Sequence, residues 1–242
     1  MKTLAAVHFA GNALLLWLGY YWLGVGESRT SSLLWSAVIA LVLLCLTCWL
    51  HGATFAFFAG QEGGVTKAFR AALRNLPVLL AAVVVILLLY YAMARWSAYS
   101  SMPSFTIASW LTSKLRKPVK PNSVLGVFSA ATWLVRWVVI PLIVLPWVAA
   151  IASGGWRGFL RRLPTGRAYW IEAPVLLVCA FWLPFVVLNW VPYTGKFPVE
   201  VVSFVIRLLV AYLLFVAAWL ALVFLTSGGK PAWSHASTAG KP

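Results

Sequence analysis

Apolar runs near twenty residues long recur along this chain, separated by short polar stretches that hold nearly all of its basic residues. Six are distinguishable: about Leu4–Val25, Ser32–Phe58, Pro77–Ala94, Leu125–Ile151, Trp170–Trp190 and Val199–Leu225. At about 1.5 Å per residue, such a run crosses a hydrocarbon core of about 30 Å, and the longer ones do so with tilt. No water is available there to bond backbone N–H and C=O groups, so each run is expected as a helix. The two-residue alternation of a membrane barrel strand is absent. The expected fold is all-α, a polytopic integral membrane protein with about six transmembrane helices in residues 1–226 and short basic amphipathic interfacial helices. Residues 227–242, "SGGKPAWSHASTAGKP", have the composition of a disordered tail.

The first run has one Lys ahead of its apolar stretch, as a secretory signal does. It is long, however, ends in aromatics and has no clear small-x-small cleavage motif, so it is expected as a retained helix. Trp22, Trp35, Tyr90, Tyr91, Trp96, Trp170, Trp190 and Tyr193 fall near the ends of the runs, where amphipathic rings form an interfacial belt.

The loops on the side of both termini hold Lys2, Lys67, Arg70, Arg74, Arg157, Arg161, Arg162, Arg167, Lys230 and Lys241. The opposite loops hold Arg29, Arg95, Lys114, Arg116, Lys117, Lys120 and Lys196. This excess of basic residues places both termini in the cytoplasm and the protein in the inner (plasma) membrane. Most of the outer charge lies in one loop, where residues 104–117, "SFTIASWLTSKLRK", form an expected amphipathic helix on the outer surface. Ser104 is its expected N-cap, and Phe105, Ala108, Leu111 and Leu115 its apolar face.

Composition narrows the function. Hydrophobic residues make up 63% of the 242, charged residues 10%, and the acids are Glu27, Glu62, Glu172 and Glu200, with no Asp. A soluble domain carries about 25% charged residues. The formal net charge of +15 is dispersed between apolar runs rather than gathered in one patch. That argues against nucleic acid as a partner and for anionic lipid headgroups, each near-surface cation being worth about 1 kcal/mol there. There is no nucleophile motif, phosphate loop, acidic pair or metal-binding helix signature. With so few carboxylates, most hydrolytic and phosphoryl-transfer chemistry lacks its parts. An enzyme is not expected, and neither is a cofactor or a metal.

One phrase occurs twice. "FRAALRNLP" at 69–77 and "WRGFLRRLP" at 156–164 share Arg70/Arg157, Leu73/Leu160, Arg74/Arg161, Leu76/Leu163 and Pro77/Pro164. Each box lies between a run entering the inner side and a run leaving it, so the two units form a parallel repeat rather than an inverted one. In a helix, Phe69, Leu73 and Leu76 share a face, with Arg70 and Arg74 beside them. The apolar face can sink into the acyl boundary while Arg70, Arg74, Arg157, Arg161 and Arg162 meet phosphates. The plainer explanation of the boxes is topogenic charge.

Arg136 and Arg207 lie inside runs four and six. A charge at depth costs about 2.5–3.5 kcal/mol on insertion scales, so each should face the bundle or a wet cavity. They are candidate anion ligands, and snorkelling with hydrogen bonds to carbonyls is the plainer account. His8 and His51 should reach similar depth on antiparallel helices, a placement that could suit a b-type haem. "CLTCWLH" puts Cys45, Cys48 and His51 on one stripe, where packed, inert thiols are expected. Two readings follow. The first is a non-enzymatic membrane protein that contacts anionic headgroups as a scaffold or accessory subunit, with other membrane proteins as candidate partners. The second is a small transporter of an amphiphilic anion that uses Arg136 and Arg207.

Overall fold

The computed structural model describes residues 2–26, 28–59, 64–160, 165–192 and 196–227. The expected tail from residue 228 on, Tyr193 of the aromatic belt, and Arg161 and Arg162 of the second box lie outside the described residues. The fold is all-helical, with no strand among the described residues. Helices α1 (Lys2–Leu23), α2 (Thr30–Phe58), α3 (Gly64–Arg74), α4 (Leu76–Tyr99) and α5 (Ser101–Leu115) lead to α6 (Pro121–Leu134). A π-turn over Val135–Val139 joins α6 to α7 (Ile140–Gly154). Then follow α8 (Trp156–Phe159), α9 (Arg167–Asn189) and α10 (Phe197–Thr226). Six segments are long and apolar enough to cross a membrane: α1, α2, α4, the continuous Pro121–Gly154, α9 and α10. This is the make-up of a multi-pass membrane protein. These six are apolar nearly all round, a pattern that suits helices surrounded by hydrocarbon.

The chain divides into two compact units, residues 1–81 with 145–242, and residues 82–144. In the larger unit α1 pairs with α2, α10 packs on α1, α2 and α9, and α3 folds back along α2. Phe55, Ala53 and Ala56 of α2 are buried with Leu4 of α1 and Val223 of α10. The Tyr212 hydroxyl of α10 donates to the Phe9 carbonyl of α1, and Trp22 Nε1 donates to Ser36 Oγ across α1 and α2 at 2.9 Å. Gly52 lets α2 meet the next span: a Cβ there would lie 2.6 Å from Leu79 Cδ1.

In the smaller unit α5 and α6 form a hairpin. Its α5 begins at Ser101, not at Ser104, because Pro103 is tolerated in a first turn, where the N–H it lacks has no partner to lose. Ser104 is therefore interior, and its hydroxyl turns back to the Ser101 carbonyl. The stripe that α5 buries is Ser104 and Ala108, while Phe105 and Leu115 are exposed. Small side chains let the hairpin helices approach, and the larger ones project from it. Arg116 ends α5 in the left-handed region (φ 52°), and Thr112 Oγ1 accepts from Val119 N–H at 3.0 Å.

The aromatic positions divide in two. Trp35, Tyr91, Trp96, Trp170 and Trp190 are each more than half exposed, as interfacial rings would be. Trp22 and Tyr90 instead place their polar atoms on Ser36 and on the Arg136 carbonyl.

Candidate functional site

The first box folds as α3. Its inner face is alanine: Ala68, Ala71 and Ala72 are buried, and Ala68 and Ala71 cluster with Ala56 of α2. The sequence assigns Phe69 and Leu73 to the acyl boundary and does not name the face that packs on the protein. Leu73 is 55% exposed, and Phe69 lies to the side, its ring edge-on to Trp49 at 5.3 Å. Alanines win the inner face because they allow the closest approach of two backbones. At 100° per residue, Arg70 and Arg74 then fall roughly opposite the alanine stripe, and both are exposed with Lys67. The helix therefore has three faces: alanine toward α2, Phe69 and Leu73 to one flank, and cations outward.

The second box is shorter. Helix α8 is a single turn, and Arg157 in it is exposed. A tryptophan from the preceding span fastens each box. Trp49 Nε1 donates to the Phe69 carbonyl at 2.9 Å, and Trp147 Nε1 donates to the Phe159 carbonyl at 3.0 Å. The phenylalanines occupy different positions of the repeated phrase, so the fastening is shared while its register is not.

Asn75, which stands where the second copy has Arg162, joins the two. Its N–H donates to the Ala71 carbonyl and its own carbonyl accepts from Leu79 N–H, so α3 bends into α4 without losing the ladder. Its buried side chain donates from Nδ2 to the Ala152 carbonyl at 2.9 Å. That carbonyl belongs to the last turn of α7, where no helical partner is available. Asn75 Oδ1 also lies 2.9 Å from where a Cβ on Gly155 would sit. Gly155 has a φ of +57°, a left-handed conformation that favours glycine. The end of the first box thus abuts the start of the second, on the chain stretches that carry Arg74 and Arg157.

The two arginines within apolar helices have separate local accounts, Arg207 in the larger unit and Arg136 in the smaller. Arg207 is buried. It donates from Nε to the Ser203 carbonyl at 3.3 Å and from Nη1 to the Leu188 carbonyl at 2.7 Å. It therefore caps the C-terminal end of α9. We expect Arg207→Met to leave the Leu188 carbonyl unpaired and to cost about 1–3 kcal/mol. Arg207→Lys should recover part of that, its ammonium still being a donor. Thermal unfolding in detergent measures both, and an unchanged midpoint for Arg207→Met would remove the capping role. Arg136 is half-buried within the π-turn, its Cζ 5.1 Å from the Trp137 ring and 5.7 Å from the Tyr90 ring. The Tyr90 hydroxyl donates to the Arg136 carbonyl at 3.0 Å. The Nε of Arg136 is buried without a hydrogen-bond partner among the described residues.

His8 and His51 do come together, their ring centroids 5.2 Å apart and edge-on. Direct ring contact leaves no space for a porphyrin between them. The Thr54 hydroxyl donates to the Leu50 carbonyl at 3.0 Å, so toward His8 Nδ1, 3.3 Å away, it can only accept. His8 then carries its proton on Nδ1 and presents a lone pair at Nε2. His8 Nε2, His51 Nδ1 and Trp219 Nε1 are buried without protein partners among the described residues. No group of three or more His, Cys, Asp or Glu side chains among the described residues could hold a metal ion. Cys45, Cys48 and Cys179 are free thiols.

Comparison with known proteins finds no matching family model, no matching curated protein and no matching solved structure.

Proposed function

We propose that this chain is a non-enzymatic multi-pass membrane protein that holds anionic lipid headgroups at its paired basic elbows, as a scaffold or accessory subunit. One observation carries this reading. The alanine face of α3 seats it against α2, which leaves Lys67, Arg70 and Arg74 outward together at the end of a membrane-length helix. Arg157 is exposed in the abutting turn, and Arg161 and Arg162 follow it in sequence. Leu73 and Phe69 would enter the acyl boundary beside it. On this reading the elbows face the cytoplasmic leaflet of the inner membrane, with both termini on that side.

The test is native mass spectrometry of protein extracted in a mild detergent from membranes containing phosphatidylglycerol. We expect bound phosphatidylglycerol on the wild type and loss of most of it from Arg70→Gln/Arg74→Gln. Two near-surface cations are worth about 2 kcal/mol, roughly thirtyfold in occupancy. Equal retention by the double variant would sink the headgroup reading. A second reading, movement of an amphiphilic anion past Arg136 and Arg207, draws support from the partnerless Nε of Arg136 in its π-turn, since such turns recur at functional sites. Arg207, engaged with two carbonyls, supports it less.

A further inference from the structure

At one end of the larger unit, α1, α2 and α10 leave a crevice of about 400 Å³. Its walls include Leu4 and Ala5 near the start of α1, Phe58 at the end of α2, and Ala221 and Phe224 near the end of α10. The cause is a mismatch of side-chain size. Phe58 and Phe224 meet edge-on at 5.9 Å and form one wall, and the methyl groups of Ala5 and Ala221 leave the space before it unfilled. Of the lining residues only Lys2 is charged, and it is exposed.

The chemistry of the walls selects the occupant. Water has no hydrogen-bond partners along them, and buried water needs two to four. An unbranched hydrocarbon chain fits an apolar slot of this volume, which falls within the range of small-molecule pockets. The crevice lies at the ends of three membrane-length helices, where acyl chains meet headgroups. Lys2 stands where the polar end of such a molecule would be, and long cationic side chains at helix ends reach for that level. A chain of net charge +15 favours the anionic members of the bilayer.

We propose that this crevice binds one acyl chain of an anionic glycerophospholipid, with the lipid phosphate held by Lys2. The site shares its lipid class with the elbow reading but none of its residues, so each can fail alone.

The test uses the full chain in vesicles of phosphatidylglycerol and phosphatidylcholine, with phosphatidylglycerol carrying a photoactivatable group on one acyl chain. Peptide mapping after illumination should find label concentrated on Leu4, Ala5, Phe58 and Phe224, and unchanged in Arg70→Gln/Arg74→Gln. Lys2→Gln should lower the preference for phosphatidylglycerol over phosphatidylcholine at these positions by roughly fivefold, the factor for one near-surface cation. Ala221→Phe should displace the label from the crevice while leaving the remainder in place. Label spread evenly over the lipid-facing residues of α1, α4 and α9 would overturn the proposal in the wild type alone. So would label at the crevice that Lys2→Gln and a folded Ala221→Phe both leave unchanged.

Discussion

Gly158→Ala is expected to abolish the folded junction between α7 and α8. A methyl group on Gly158 would overlap the carbonyl oxygen and carbon of Ala150 and come within 2.8 Å of the Ile151 nitrogen. All three are backbone atoms of a packed helix, so no side chain can swing aside. Gly158 is also held by its own N–H, which donates to the Gly155 carbonyl at 2.9 Å. Overpacking of this kind commonly costs about 1–3 kcal/mol, and more where the backbone itself is the obstacle. We expect at least about 3 kcal/mol here. Reversible unfolding in mixed micelles, read by tryptophan fluorescence, would show a large loss of stability. Gly154→Ala is the matched control. No atom lies within 4 Å of an added methyl there, so its midpoint should barely move. Equal behaviour of the two variants would mean that α8 does not press on Ala150 as described.

The second large effect is expected at Asn75. Asn75→Ala removes the donor for the Ala152 carbonyl, and a buried acceptor left unpaired costs about 1–3 kcal/mol. Asn75→Asp is worse. It replaces the donor by an acceptor, directs it at a carbonyl oxygen, and places a carboxylate where the native side chain is buried. We expect Asn75→Asp to lose more than Asn75→Ala, by at least about 1 kcal/mol, when both are unfolded in the same micelles at neutral pH. Below the carboxylic acid's own titration the Asp variant should regain part of the difference, because the protonated form again has a donor. Arg74→Gln, one residue away but exposed, should be near neutral for stability. If Asn75→Asp behaves like Asn75→Ala at neutral pH, its amide is not the partner of Ala152.

What was legible in the sequence follows from range. The helical spans show as runs of about twenty apolar residues, a signal contained within each segment. Pro77 was placed correctly near the start of the next helix by the same local logic, and it is the second residue of α4. The inner face of α3 was not legible. Hydrophobicity ranks Phe69 and Leu73 above Ala68, Ala71 and Ala72, yet the closeness of α3 to α2 rewards the smallest side chains. The helix α5 was misplaced by three residues because Pro103 reads equally well as a boundary or as a first-turn residue. Asn75 could not have been found from sequence. Its partner is a backbone carbonyl 77 residues away, and every residue has a carbonyl. Bonding of Arg207 to carbonyls is the plainer account from sequence, but which carbonyls, those of Ser203 and Leu188, could not be named for the same reason.

The larger unit is assembled from two stretches of chain, 1–81 and 145–242, with the whole of the smaller unit between them. Asn75 therefore leaves the ribosome well before Ala152 exists. At about 5–20 residues per second, the wait is on the order of 4–15 s. During it the amide of Asn75 is an unpaid polar group at the end of an apolar helix, and the crevice side of α1 and α2 has no α10 to close it. The nascent chain then spends this interval with the larger unit incomplete. Quality-control proteases that sense unpaired polar groups in membranes would have their longest opportunity during that interval, and a chain truncated before residue 145 would stay exposed to them.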